Sequence, residues 1–147
     1  MKRLREYGLM ILASLILLCG TSSIQAQNDE TNVKKTLNEL IGVSRTKSFE
    51  KAARLIAYDG EDVQRVRKDS FNPANKDELN QVKRICKKIS ALIDLSSKQE
   101  DGKFEIKKEG QIEYFIAEIN FISGDQKLTT AFSFVKTQKG FLLTEIN

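Results

Sequence analysis

Tyr58, Asp59, Glu61 and Asp62 crowd into the five residues "YDGED", directly after the apolar-faced segment "SFEKAARLIA". A carboxylate beside a tyrosine can act as a general base whose enolate product is held by the phenol hydroxyl. Asp62 or Asp59 would be the base in that scheme, and Tyr58 or Tyr114 the donor. No neighbouring apolar residue or characteristic spacing tunes either acid for such work. The plainer reading, which is preferred, is a solvated turn that ends a helix, with Tyr58 at its rim. Tyr58, Asp59, Asp62 and Tyr114 are carried forward as ligand-binding candidates, and no residue is assigned a catalytic role.

The rest of the inventory is restrictive. The chain contains no histidine, which removes Ser-His-Asp and Cys-His nucleophiles together with His-ligated zinc. Asp59, Glu61 and Asp62 do not have the alternate spacing of a calcium loop. The glycines at 42, 60, 102, 110, 124 and 140 form no phosphate-cradling motif. No cofactor and no metal is expected. Lys and Arg are interspersed with acids and lack the aromatic interleaving of a nucleic-acid surface, so no nucleic-acid partner is expected. Arg65, Arg67 and Lys68 are the densest basic patch, and no anion site is assigned to them.

The front of the chain has its own logic. Lys2, Arg3 and Arg5 precede the uncharged run "GLMILASLILLCG", and the small polar stretch "TSSIQAQ" follows it. That order is that of an export signal, and the run is shorter than the roughly 18–20 residues that span a bilayer. Cleavage is expected between Ala26 and Gln27, giving residues 1–26 as signal peptide and 27–147 as one exported domain, periplasmic or secreted. Lipid attachment at Cys19 is the rival, weakened by Leu18 where a small residue is preferred. Removing residues 1–26 leaves 21 Lys+Arg (24 minus 3) and 19 Asp+Glu (20 minus 1), a net charge of about +2. Cys86 is then the one cysteine left, so no internal disulfide forms, and its apolar neighbours at helical spacing predict a buried thiol.

The elements that must position these residues follow from periodicity. Val33, Leu37, Leu40 and Ile41 predict a first helix from about Asn28. A second helix is expected from an N-cap at Ser48, with Phe49, Ala52, Ala53 and Ile56 on one face, as far as Gly60. A third is expected to have Pro73 in its first turn and a stripe of Leu79, Val82, Ile85, Cys86, Ile89, Leu92 and Ile93. After "SSKQEDG", read as a break, the period drops to 2, and four strands follow as an antiparallel meander. Helices first and one antiparallel sheet after them make an α+β plan, with three helices on a curled four-stranded sheet.

At this point the chain resembles the nuclear-transport-factor-two-like (cystatin-like) superfamily. The resemblance rests on element order, on the "SFEKAARLI" helix ending in an acidic turn, and on the terminal hairpins. It implies a cone with a pocket between helices and sheet, used by some members for enzymatic work on small hydrophobic molecules and by others for binding. The expected function is a non-catalytic exported domain that binds a small ligand or an envelope protein; the alternative is a histidine-free isomerase-like or lyase-like enzyme with an Asp base. "QIEYFIAEINF" puts Phe115, Ala117, Ile119 and Phe121 on one face and Ile112, Tyr114 and Ile116 on the other. Ile112, Ile116, Phe132 and Phe134 are therefore assigned to an outer interface, through which the chain is expected to pair with a copy or a partner.

Overall fold

A computed structural model describes the backbone of residues 2–147 and the side chains of residues 23–147. The chain falls into two compact units, Met1–Thr31 and Asn32–Asn147. Residues 2–31 of the first unit lie in α1, which spans Lys2–Arg45. The expected cleavage position, Ala26–Gln27, lies within that helix. The uncharged run and Cys19 lie outside the described side chains. Among the described residues no helix is long and apolar enough to cross a membrane.

The second unit has the expected α+β order: the end of α1, then α2 (Phe49–Ala53), α3 (Lys76–Asp94), β1 (Lys98–Glu109), β2 (Ile112–Ser123), β3 (Gln126–Thr137) and β4 (Gly140–Ile146). The sheet is an antiparallel meander in the order β1-β2-β3-β4, curled but not closed. Two-residue connections join Glu109 to Ile112, Ser123 to Gln126 and Thr137 to Gly140. Gly110 and Gly124 open the first two of them at φ 62° and 57°, a conformation that the twist of a short hairpin demands and a side chain resists.

One face of the sheet is buried against the helices. Val82, Cys86, Ile89 and Ile93 of α3 meet Phe115, Ala117, Ile119 and Phe121 of β2 in a single apolar core that also takes in Val33, Leu37 and Leu40 of α1. Phe132 and Phe134 pair in register with Ala117 and Phe115 and are fully buried. Their assignment to the outer interface is therefore corrected. Side chains directly opposite across a ladder share a face, so residues paired with the core row must join it. Ile112 and Ile116 do lie away from the core row, exposed and half-buried respectively.

Helix α1 begins at Lys2 rather than near Asn28; three other boundaries differ from expectation, each for a backbone reason. Helix α2 stops at Ala53 rather than near Gly60, because the next residues pair with the sheet. Leu143 N–H donates to Leu55 O at 2.9 Å and Ala57 N–H to Leu143 O at 2.8 Å, in a parallel bridge at Ile56. Helix α3 starts after Pro73, because the Asn75 side chain accepts from Asp77 N–H at 3.0 Å and Glu78 N–H at 3.2 Å and so fixes the N-cap. Strand β1 begins at Lys98 and passes through the supposed break by a bulge between Asp101 and Phe104. At that bulge a Cβ on Gly102 would lie 2.7 Å from Glu118 Cβ, so only glycine fits. Ser48 stands at the N-cap of α2 without a side-chain cap bond; its hydroxyl meets Thr46 Oγ1 at 3.0 Å.

Candidate functional site: the Asp59–Asp69 turn and the grooves beside it

The acidic turn is anchored from below. Tyr58 is buried, with Phe71 edge-on at 5.7 Å and the Arg65 guanidinium 4.0 Å above its ring centroid. Gly60 is required here, since a Cβ at that position would lie 2.4 Å from the Tyr58 hydroxyl oxygen. Asp62 folds the next turn. Its Oδ1 accepts from Gln64 N–H at 3.0 Å, and its carbonyl accepts from Arg65 N–H at 2.9 Å and Val66 N–H at 3.1 Å. Asp62 is thus an exposed turn-former, the commonest use of aspartate in such a position.

The feature that sequence reasoning missed is the lock between Arg65 and Glu78. Arg65 Nη1 and Nη2 donate to the two Glu78 oxygens at 2.9 and 3.0 Å, and Nη2 also donates to Ser70 O at 3.1 Å. Asn72 N–H adds a third bond to Glu78, at 2.6 Å. The Glu78 side chain is 9% exposed, so its charge survives burial only because it is paired and bonded. The Arg65 bond, aided by Asn72 N–H, holds the Glu78 carboxyl below the usual range against the opposing effect of burial, and the same pair raises Arg65. Lys139 ties the far end of the turn to the sheet through Asp69 Oδ1 at 2.7 Å. That bond, with Ser70 N–H, lowers the Asp69 carboxyl.

The four ligand-binding candidates fall into two separate pairs: Asp62 N–H donates to the Tyr58 hydroxyl at 3.4 Å beneath the turn, and Asp59 and Tyr114 share a groove. That groove, of about 380 Å³ on the outer sheet face, is also lined by Arg67, Lys107, Ile116 and Glu145. Arg67 has φ 57°, and its Nη1 donates to the Tyr114 hydroxyl. Tyr58 and Asp62 do not join that groove. Tyr58 faces the core, and Asp62 faces solvent. The outer face beneath Tyr114 is already filled by Ala57, Val135 and Leu142.

Arg67 also borders a second groove, of about 540 Å³, between the turn and the β1–β2 hairpin. Val63, Val66, Ile112, Phe115 and Val135 supply its apolar wall, and Arg67, Lys68, Lys108 and Lys136 supply cations, against a single acid, Glu113. Val63 is 77% exposed and Ile112 38% exposed, so apolar surface is held open to water beside four positive charges. The sequence did carry a signal for this groove. "VQRVRK" puts Val63 and Val66 among its basic residues, and the "KKEGQI" turn puts Lys108 near Ile112. What the sequence lacked was the pairing of those two turns in space. No group of His, Cys, Asp or Glu side chains suited to a metal ion occurs among the described residues.

No family model matches the chain, and no curated protein does. Among solved structures, a designed nuclear-transport-factor-two-like protein aligns with 82% of this chain and 97% of its own length, at 10% identity and a TM-score of 0.47. A likeness at that level carries nothing about chemistry. The helices-then-meander order and the curled, open sheet described above are the α+β plan expected from the sequence.

Proposed function

We propose that the chain is an exported, non-catalytic binding domain whose ligand is a small amphipathic anion, an apolar body with a carboxylate or sulfonate head, seated between Val63 and Ile112. The observation that supports this reading is the second groove, in which apolar side chains are held exposed beneath Arg67, Lys68, Lys108 and Lys136. Exposed apolar surface in a concave setting favours an apolar ligand, and convergent charges orient it. The acids that a catalytic reading needs are placed differently, with Asp62 spent on its turn and Asp59 on the other side of Arg67.

Titration with the fluorescent sulfonate 8-anilinonaphthalene-1-sulfonate, set beside the uncharged N-phenyl-1-naphthylamine, tests the reading. The sulfonate should bind more tightly, weaken with added salt, and lose about tenfold in affinity in Lys68→Glu or Lys108→Glu. Val63→Asp should weaken both probes. Equal affinity for the two probes, or indifference to both charge reversals, would sink the reading. The exported state is tested separately, by N-terminal sequencing that should find Gln27 first.

A further inference from the structure

Strand β1 is an edge of the sheet, and its outer backbone row has no strand beside it. An edge of this kind templates further pairing unless it is blocked, commonly by charged side chains, proline or a bulge. The β1 bulge lies at one end of the exposed row, between Asp101 and Phe104, and the charges beyond it alternate in sign. Glu105 and Lys107 pair with Ile116 and Tyr114 of β2, and so lie on the outer face, whereas Phe104 and Ile106 pair with the core-row residues Ala117 and Phe115. Glu109 pairs with Ile112 and so joins the outer row. Lys103, the last residue of the bulge, stands beside Glu118 of the outer face, its N–H donating to Glu118 Oε2 at 3.3 Å. The charges therefore read Lys103, Glu105, Lys107, Glu109, with signs +, −, +, −. All four are exposed. On the other face Ile106, 43% exposed, is left unusually open for its size.

An alternating row has a symmetry property that a single-sign row lacks. If a second copy pairs antiparallel about a two-fold axis through Ile106, Glu105 meets Lys107 of the copy, and Lys103 meets Glu109. Every outer-row contact is then between opposite charges, and Ile106 packs on its own counterpart. Shifting the axis by one residue, to Glu105 or Lys107, puts like charges opposite each other on the axis. Within the chain Lys107 Nζ reaches Glu105 at 3.0 Å, with both side chains at least half exposed, so exchanging that contact for one across the axis sacrifices little.

We propose that β1 is a homodimer edge: two copies pair β1 to β1 antiparallel about Ile106, extending the meander into a continuous eight-stranded sheet. This pairing does not depend on the anion groove. It takes the place of a face-to-face pairing, whose largest apolar contributors, Phe132 and Phe134, are buried in the core. A ladder about seven residues long buries less than a standard interface, so the dimer is expected to be a concentration-dependent equilibrium rather than an obligate one.

The test uses the protein produced from its full sequence, with Cys19→Ser so that Cys86, which is buried, is the sole native thiol. Ile106→Cys should form a disulfide-linked dimer under mild oxidation, because directly opposed Cβ atoms lie within about 5.5 Å. Lys108→Cys, on the same face but opposite Phe104 of the copy, should not. In sedimentation equilibrium Glu105→Lys should weaken association about tenfold, since symmetry spoils the contact twice. Lys107→Glu should do the same, and the double variant Glu105→Lys/Lys107→Glu should restore it. A monomer at high micromolar concentration would overturn the proposal. So would equal crosslinking of both cysteine variants, failure of the double variant to recover, or dissociation by Ile116→Lys with indifference to the β1 charges.

Discussion

Arg65 and Glu78 meet fork to fork, at 2.9 and 3.0 Å, across thirteen residues of chain. The pair fastens the Asp59–Asp69 turn to the first turn of α3 and so fixes one wall of the groove lined by Val63, Val66 and Arg67. Glu78 is nearly buried and Arg65 is 28% exposed, which makes the two ends unequal. Removing the arginine strands a buried carboxylate, whereas neutralising the glutamate leaves a cation that still reaches water and Ser70 O. Arg65→Met should destabilise the fold by about 3 kcal/mol and Glu78→Gln by less, as read by urea unfolding.

The same pair sets an acid limb. The Glu78 and Asp69 carboxyls are both lowered in the folded state, so the unfolded chain takes up protons first. Their contribution is fully present above the unfolded-state carboxylate pKa of about 4, and it is lost as pH falls through the lower folded values. The urea midpoint should therefore decline below about pH 4.5, and Glu78→Gln should flatten that decline. Most of the effect should track Glu78, because the Asp69–Lys139 pair is 38% and 68% exposed and solvent screens it.

Gly60 and Gly42 should respond oppositely to alanine. A Cβ at Gly60 would lie 2.4 Å from the Tyr58 hydroxyl oxygen, and one at Gly42, inside α1, meets nothing within 4 Å. Gly60→Ala should destabilise by about 1–3 kcal/mol through overpacking. Gly42→Ala should stabilise by about 0.5–1 kcal/mol through helix propensity. Thermal melts of the two variants beside the parent decide both signs.

Ser44 and Cys86 share the buried contact between α1 and α3. The Ser44 hydroxyl, 1% exposed, makes no hydrogen bond of good geometry. Burial raises the Cys86 thiol, and its approach to Ser44 only partly offsets that. Ser44→Ala should stabilise by about 1 kcal/mol, since an unbonded buried hydroxyl is removed and helix propensity improves. Native Cys86 should react with maleimide far more slowly than the urea-unfolded thiol.

Ile119 and Ile116 separate the two sheet faces. Ile119 is 5% exposed on the helix side, and Ile116 is half-buried on the outer face. Ile119→Lys should abolish cooperative unfolding, because a core position cannot hold an unpaired charge. Ile116→Lys should leave a folded protein with a normal far-ultraviolet spectrum. Unfolding of Ile116→Lys with survival of Ile119→Lys would reverse the faces.

Periodicity by itself determined the element types, their order, the α3 stripe and the β2 faces, because each depends on residues a few positions apart along one element. It also determined the chemical exclusions, since a missing histidine is missing in any fold. Where elements stop was decided elsewhere. Helix α2 ends early because Leu143, ninety residues from Ala53, offers its backbone to Leu55 and Ala57. The placing of Phe132 and Phe134 was likewise a matter of register: alternation leaves open which row of β3 faces the helices, and only the pairing with Phe115 and Ala117 settles it. The grooves belong wholly to tertiary structure. Val63 and Ile112 become neighbours only when the turn folds back over the sheet, and Arg65 and Glu78 only when it docks on α3, and local propensity holds no information about groups that loop closure alone brings together.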